Sequence, residues 1–315
     1  MAVLNVIAMG GNSLIDPEVP PTVENQFALT AQAMGPVVDL IERGERVVIT
    51  HGNGPQVGFM QLRVELARPV LHEVPLDSLV ADTQGSLGYM IQMTLRALLE
   101  ERGVDAEIVT IVTEIEVAPD DPDFDTPTKP IGKFYSQAEA RELTDKHGWR
   151  MVEDAHRGYR RVVPSPKPIR IVQLPIIERL LDQGVVVITC GGGGIPVMRD
   201  ERDHLRGIEG VIDKDRASAL LGVELGAQRL LVTTAIDAVY RNFHEPDQEP
   251  VREATAAEIR AMTDQFPAGS MRPKMDAALD FLSGGGQEVF VCRPEDLLAA
   301  LDRVTGTRIV PDPRG

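Results

Sequence analysis

The chain alternates short, β-branched apolar runs with longer segments in which apolar residues recur every three or four positions. Six runs stand out, at residues 3–9, 46–50, 107–112, 185–190, 230–234 and 288–292. Each is continuous and lacks the in-out alternation of a half-solvated strand, which predicts parallel strands buried on both faces. Between the first two, Phe27, Ala31, Met34, Val38 and Ile41 lie three or four apart and Gly44 follows. That spacing predicts an amphipathic helix with a C-terminal stop. Comparable helical patterns occupy residues 82–102, 173–183, 214–225, 255–262, 273–283 and 294–304. The βαβα order predicts an α/β fold, a three-layer αβα sandwich around a mainly parallel central sheet. One stretch breaks the rhythm. Residues 116–170 are rich in Pro, Asp, Arg and Gly and read as helical only at 137–146. A segment of that length points to a lid subdomain inserted into a single domain spanning 1–315.

Composition narrows the partners. Aromatic residues make up only 4%, so the core is aliphatic, and the formal net charge of −16 repels nucleic acid and anionic membranes. An anion-using site in such a field needs its own local cations and backbone N–H groups. The two cysteines, Cys190 and Cys292, sit in apolar runs and make no disulfide framework, which points to a reducing cytoplasm. No signal-like start and no apolar run of roughly 20 residues is present, so a soluble protein with no membrane partner is expected.

Chemistry is expected beyond the carboxyl ends of parallel strands. Three of the predicted strands run there into glycine: Met9-Gly10-Gly11-Asn12-Ser13, Thr50-His51-Gly52-Asn53-Gly54-Pro55-Gln56 and Cys190-Gly191-Gly192-Gly193-Gly194-Ile195-Pro196. A single Gly-Gly pair is more often a tight turn. Three on one sheet edge suggest a phosphate cradle of backbone N–H groups and helix N-termini. None fits the P-loop or the dinucleotide fingerprint.

Phosphoryl transfer also needs cations against the equatorial oxygens. Lys129 lies between Thr128 and Pro130, Lys214 between Asp213 and Asp215, and Lys274 directly follows Pro273. Such constrained flanks set them apart from solvated surface lysines. Asp213 and Asp215 could orient the ammonium, hold Mg²⁺ through water, or cap a helix. His51 reads as structural, because an acceptor that is already anionic needs no general base. Arg160, Arg161 and Lys167 could carry positive charge from the lid, or form a solvated run.

Together these motifs resemble the carbamate kinases of the amino acid kinase superfamily along essentially the whole chain. Further segments carry the likeness: Thr83-Gln84-Gly85-Ser86-Leu87-Gly88-Tyr89, Pro127-Thr128-Lys129-Pro130-Ile131-Gly132, Arg161-Val162-Val163-Pro164-Ser165-Pro166-Lys167-Pro168, and Gly269-Ser270-Met271 with Pro273-Lys274. The resemblance implies the amino acid kinase fold, a protruding subdomain, a homodimer, and Mg²⁺-dependent transfer between carbamoyl phosphate and ADP, giving ATP and carbamate. ATP formation in arginine, agmatine or ureide breakdown is the implied setting. It further implies that Lys129 and Lys214 flank the phosphoryl group and that Asp213 orients the catalytic lysines. Gly10, Gly11, Asn12, Gly52, Asn53 and Gly54 would hold the carbamate and phosphoryl oxygens. Asp237, Tyr240, Met271 and Lys274 would lie at the nucleotide. Ser13, Ala235 and Arg272 depart from the family pattern, and Arg272 is a candidate extra contact to nucleotide phosphates.

Two other readings stay open. One is a relative that phosphorylates another small carboxylate, phosphonate or carbamate-like acceptor, since fold does not fix substrate. The other is a silent nucleotide-binding protein, against which all three lysines with their flanks count.

Overall fold

A computed structural model describes residues 2–11, 15, 19–154, 157–267 and 269–313. Its central sheet has eight strands, ordered Glu253–Thr255, Thr307–Val310, Glu288–Cys292, Arg229–Thr233, Leu4–Met9, Arg46–His51, Val186–Ile188 and Ile108–Thr110. Neighbours run parallel except Glu288–Cys292 against Thr307–Val310. All six predicted runs are strands of this sheet.

Strand alternation divides the apolar core in two. Leu4, Val6 and Ala8 face one layer, where helices Leu174–Asp182, Lys214–Glu224 and Met271–Ser283 contribute Ile177, Leu221 and Phe281. Ile7 and Met9 face the other, against Met34 and Val38 of helix Val23–Glu42 and Leu87, Ile91 and Leu95 of helix Leu76–Glu101. Burying each such side chain contributes about 1.5–3 kcal/mol, so the expected three-layer sandwich follows from apolar residues on both faces.

Three helical segments differ from the sequence pattern. Leu76–Glu101 begins well before residue 82, because Leu76, Leu79 and Val80 are buried as well. Helix Gly54–Ala67 was not predicted, since its buried positions include Gln56 and Gln61 as well as Val57 and give no apolar stripe. At the C-terminal end, residues 294–304 divide into a 3₁₀ turn, Pro294–Asp296, and the short helix Leu297–Leu301.

The segment 116–170 enters and leaves through adjacent antiparallel strands, Glu114–Val117 and Pro168–Ile171, with Ile115 opposite Ile171. These join Ile195–Arg199 and Leu205–Gly207 in a second sheet. Beyond that neck, Lys129–Tyr135, Tyr159–Val163 and Met151–Glu153 form a separate three-stranded sheet. Helix Gln137–His147 packs with it, opened by a Ser136/Glu139 capping box and closed by left-handed Gly148.

Candidate active site

The first two glycine turns touch through their backbones. Gly52 N–H donates to Met9 O at 2.9 Å, and a Cβ on Gly52 would stand 2.7 Å from the Gly11 nitrogen. Only glycine permits that approach. Gly10 N–H donates to Thr233 Oγ1 at 3.3 Å, which ties the first turn to the neighbouring strand. Asn53 stands at the N-terminus of helix Gly54–Ala67 without a side-chain capping bond, and its amide donates instead to Thr83 Oγ1 at 2.8 Å. Gly10, Gly11, Gly52, Asn53 and Gly54 all line one cavity of about 430 Å³. Asn12 and Ser13 lie outside the described residues.

The third glycine turn has a different part. Only Gly192 reaches that cavity. Gly193, at φ 95°, packs so closely on Ile212 O that a Cβ would overlap it, and a Cβ on Gly194 would press on Ile115 at 2.5 Å. This turn holds the 212–214 segment in place.

That segment sets the charges. Asp213 caps helix Lys214–Glu224, its Oδ1 accepting from Asp215 N–H at 2.9 Å while its Oδ2 accepts from Lys129 Nζ at 2.8 Å. Lys129 is the first residue of the insert's strand Lys129–Tyr135. Lys214 Nζ donates to Asp215 Oδ1 at 2.7 Å and to Ala8 O at 3.1 Å. Lys274, in the first turn of helix Met271–Ser283, donates to Asp215 Oδ2 at 2.9 Å. All five side chains line the same cavity. Three lysines against two aspartates leave a local positive excess in a strongly acidic protein.

Burial shapes the protonation states. It lowers the Lys214 ammonium to about 8, with Asp215 opposing and Lys274 reinforcing that shift. Burial also works against the Asp215 carboxylate, yet Lys214 and Lys274 together hold it well below the usual carboxylate range. For Asp213 burial is likewise outweighed by Lys129. His51 is buried and lowered to about 4 by desolvation, and its Nδ1–H donates to Gly52 O at 3.1 Å. It is therefore neutral near pH 7 and unsuited to proton transfer there.

A smaller pocket of about 140 Å³ adjoins through Thr234, Ser270 and Lys274 and is walled by Tyr240, Phe243, Phe266 and Met271. Tyr240 O–H donates to Asp237 Oδ1 at 2.7 Å, so Asp237 orients Tyr240 and lines neither space. Arg272 lines neither as well. Sequence reasoning passed over Phe243 and Phe266, whose loops carry no periodic signal, and it did not single out Asp215 as the hub between two lysines.

Mg²⁺ was the metal expected from the sequence. Among the described residues no cluster of His, Cys, Asp or Glu suits a metal ion, and the carboxylate oxygens of Asp213 and Asp215 are engaged by lysines or backbone. The donor set does not form a protein-only Mg²⁺ site. It is compatible with a metal that arrives on nucleotide phosphates.

A larger opening, about 830 Å³, is a separate cleft between the insert and helix Gly54–Ala67, lined by Arg68, His147, Trp149, Arg161 and Glu209. No lysine lines it.

Comparison with known proteins settles the family. The sequence profile of the amino acid kinase family matches residues 4–293. The chain belongs to the amino acid kinase family. Among the family's members it is 45% identical to the carbamate kinase-like protein YahI of Escherichia coli, over 98% of this chain and 99% of that one. It is 43% identical to the carbamate kinase of Clostridium perfringens, over 97% and 99% respectively. The solved carbamate kinase of Giardia lamblia bound to AMP-PNP superposes with a TM-score of 0.92 at 36% identity, covering 99% of both chains. This amino acid kinase therefore shares nearly its whole length with proteins named carbamate kinase.

Proposed function

We propose that the protein is a carbamate kinase that transfers a phosphoryl group reversibly between carbamoyl phosphate and ADP. The observation that carries this is the convergence of Lys129, Lys214 and Lys274 on Asp213 and Asp215 beside the glycine-lined cavity. In the ATP-forming direction a β-phosphate oxygen of ADP attacks phosphorus, the bond from phosphorus to the carbamate oxygen breaks, and carbamate leaves as an anion that decomposes to ammonia and CO₂. Attacking and leaving oxygens are both anionic, so no general base is required. The work of the protein is positioning and charge.

In this reading Lys129 and Lys214 stand against the transferring phosphoryl oxygens, and Asp213 and Asp215 hold the lysines in place. Backbone N–H groups of Gly11 and Gly54 face the small substrate, Gly10 and Gly52 line the same space while their own N–H groups hold the turns together, and Asn53 is set by Thr83. Lys274 stands between the two spaces and meets the nucleotide phosphates, and the aromatic pocket of Tyr240 and Phe243 with Met271 takes the base. Mg²⁺, arriving with ADP, would supply charge neutralisation for the phosphates, beside Lys274. Residues 116–170 serve as the lid, because the sheet they build brings Lys129 to the cavity.

The direct test couples ATP formation from ADP, Mg²⁺ and fresh carbamoyl phosphate to a reporter, with a no-enzyme blank. No ATP from folded, ADP-binding protein would shift the assignment to another small carboxylate, phosphonate or carbamate-like acceptor.

The Lys214 shift gives this assay a pH signature. With its ammonium titrating at about 8, kcat/KM for ADP-dependent turnover is expected to be full below that pH and to fall tenfold per unit above it. An active Lys214→Arg variant should lose this alkaline limb; its persistence would assign the limb to another group.

A homodimer is proposed as well, with the exposed pair Tyr89 and Met93 on helix Leu76–Glu101 as a candidate contact; light scattering at a monomer mass would oppose it. A cytoplasmic setting fits two buried free cysteines and the lack, among the described residues, of a helix apolar and long enough to span a bilayer. Recovery from a membrane or secreted fraction would count against it.

A further inference from the structure

Strand Tyr159–Val163 is the middle strand of the insert's sheet, so its successive side chains leave by opposite faces. Arg161 goes into the separate cleft, where its guanidinium lies 4.3 Å from the Trp149 ring centroid and pairs with Glu209. Arg160 goes the other way and lines the cavity that holds Lys129, Asp213 and Lys214. Two adjacent arginines thus have separate places, and only one belongs to the reaction chamber.

The Arg160 guanidinium lies 5.3 Å from the Phe134 ring centroid, and its hydrogen bonds are few for a half-buried group. One terminal nitrogen donates to Asp154 Oδ2 at 3.2 Å and the other to Pro130 O at 3.3 Å, both long for charge-assisted bonds. Its Nε is buried and has no partner among the described residues. A guanidinium has five N–H donors in a fixed fork, and leaving a buried donor unmet costs about 1–3 kcal/mol. Each terminal nitrogen also keeps a second N–H for an oxyanion beyond the bond it makes. Pro130 directly follows Lys129, so the bond to Pro130 O fastens Arg160 to the strand that delivers Lys129. The insert therefore presents two cations on one sheet.

We propose that Arg160 binds an anionic oxygen of the small substrate, carbamoyl phosphate or carbamate, and so adds a second lid-borne contact to Lys129. This rests on the carbamate kinase reading. Arg160 lines the space of the glycine turns and takes no part in the aromatic pocket, so its contribution falls on the small substrate and spares the nucleotide. Asp154 keeps the guanidinium oriented, acting as a positioning residue.

Steady-state kinetics on the full chain test this, with Arg160→Ala, Arg160→Lys and Arg161→Ala compared to wild type. Arg160→Ala is expected to raise KM for carbamoyl phosphate tenfold or more while KM for ADP stays within twofold. Arg160→Lys should recover only part of the loss, because an ammonium cannot reproduce the planar fork. Arg161→Ala should leave KM for carbamoyl phosphate within twofold. An unchanged KM for carbamoyl phosphate in active Arg160→Ala, or an equal rise in both KM values, overturns the role of Arg160 alone. A folded wild type that makes no ATP overturns the parent reading and this one together.

Discussion

Replacing Lys214 by alanine is expected to lower kcat by about 10³-fold or more, with the protein still folded. The estimate comes from the cost of removing a positioned charge from the transition state of phosphoryl transfer, where fixed cations are worth about 10³–10⁵. Lys214 is largely buried, as is Lys274, and donates to both Asp215 and the Ala8 carbonyl, so its ammonium has one location. Lys129→Ala should lose about 10³-fold too, but with a different signature. Lys129 is a third exposed and comes from the insert, so its removal should leave the melting temperature nearly unchanged and weaken carbamoyl phosphate more than ADP. Activity within tenfold of wild type in either variant would remove that lysine from the proposed centre. Stopped turnover in both, with ADP binding retained, is the expected pattern.

The second large effect concerns Asp215→Asn. Asp215 is almost fully buried between Lys214 and Lys274, and the amide keeps its shape while removing the charge that both ammonium groups face. Breaking a buried ion pair from one side costs about 3–5 kcal/mol, and here two partners are affected at once. Lys214 already titrates low, at about 8, and would be driven lower. Its folded value then lies further below the unfolded value near 10.4, so the folded state binds fewer protons across that window. Stability of the variant should accordingly rise as pH is raised through it. Thermal melts at pH 6.5 and pH 9 should show a deficit of several degrees at the lower pH that shrinks at the higher. Inorganic phosphate should restore more stability to the variant than to wild type. A deficit independent of both pH and phosphate would mean that Asp215 matters through packing.

The central sheet was legible because a strand buried on both faces is written as an uninterrupted apolar run, and strands such as Leu4–Met9 and Glu288–Cys292 obey that rule almost to the residue. The edge strand Glu253–Thr255 and its neighbour Thr307–Val310 are short and partly exposed, so they leave no such mark. The insert's strands were hidden for a related reason. Lys129–Tyr135 and Tyr159–Val163 spend charged residues on the cavity and the cleft, which reads as loop. At the site, the glycine turns and lysines were visible through their flanks. Their grouping was readable only through the family resemblance, since Lys129, Lys214 and Lys274 are far apart in the chain and meet through Asp213 and Asp215. The four-glycine turn looked like a phosphate cradle, and the structure makes most of it a packing joint, because glycine serves close approach of protein to protein as readily as protein to ligand.

Trp149 is the sole tryptophan of the chain, and it lies where the insert faces helix Gly54–Ala67, with His147, Arg68 and Arg161 around its ring. The protein thus has a built-in fluorophore at the boundary between segment 116–170 and helix Gly54–Ala67, in a cleft separate from the reaction cavity. Emission from that indole responds to nearby charge and water, so a shift of the insert would change its intensity and colour without any attached label. Whether each ligand moves that segment could then be read in the unmodified enzyme, one ligand at a time.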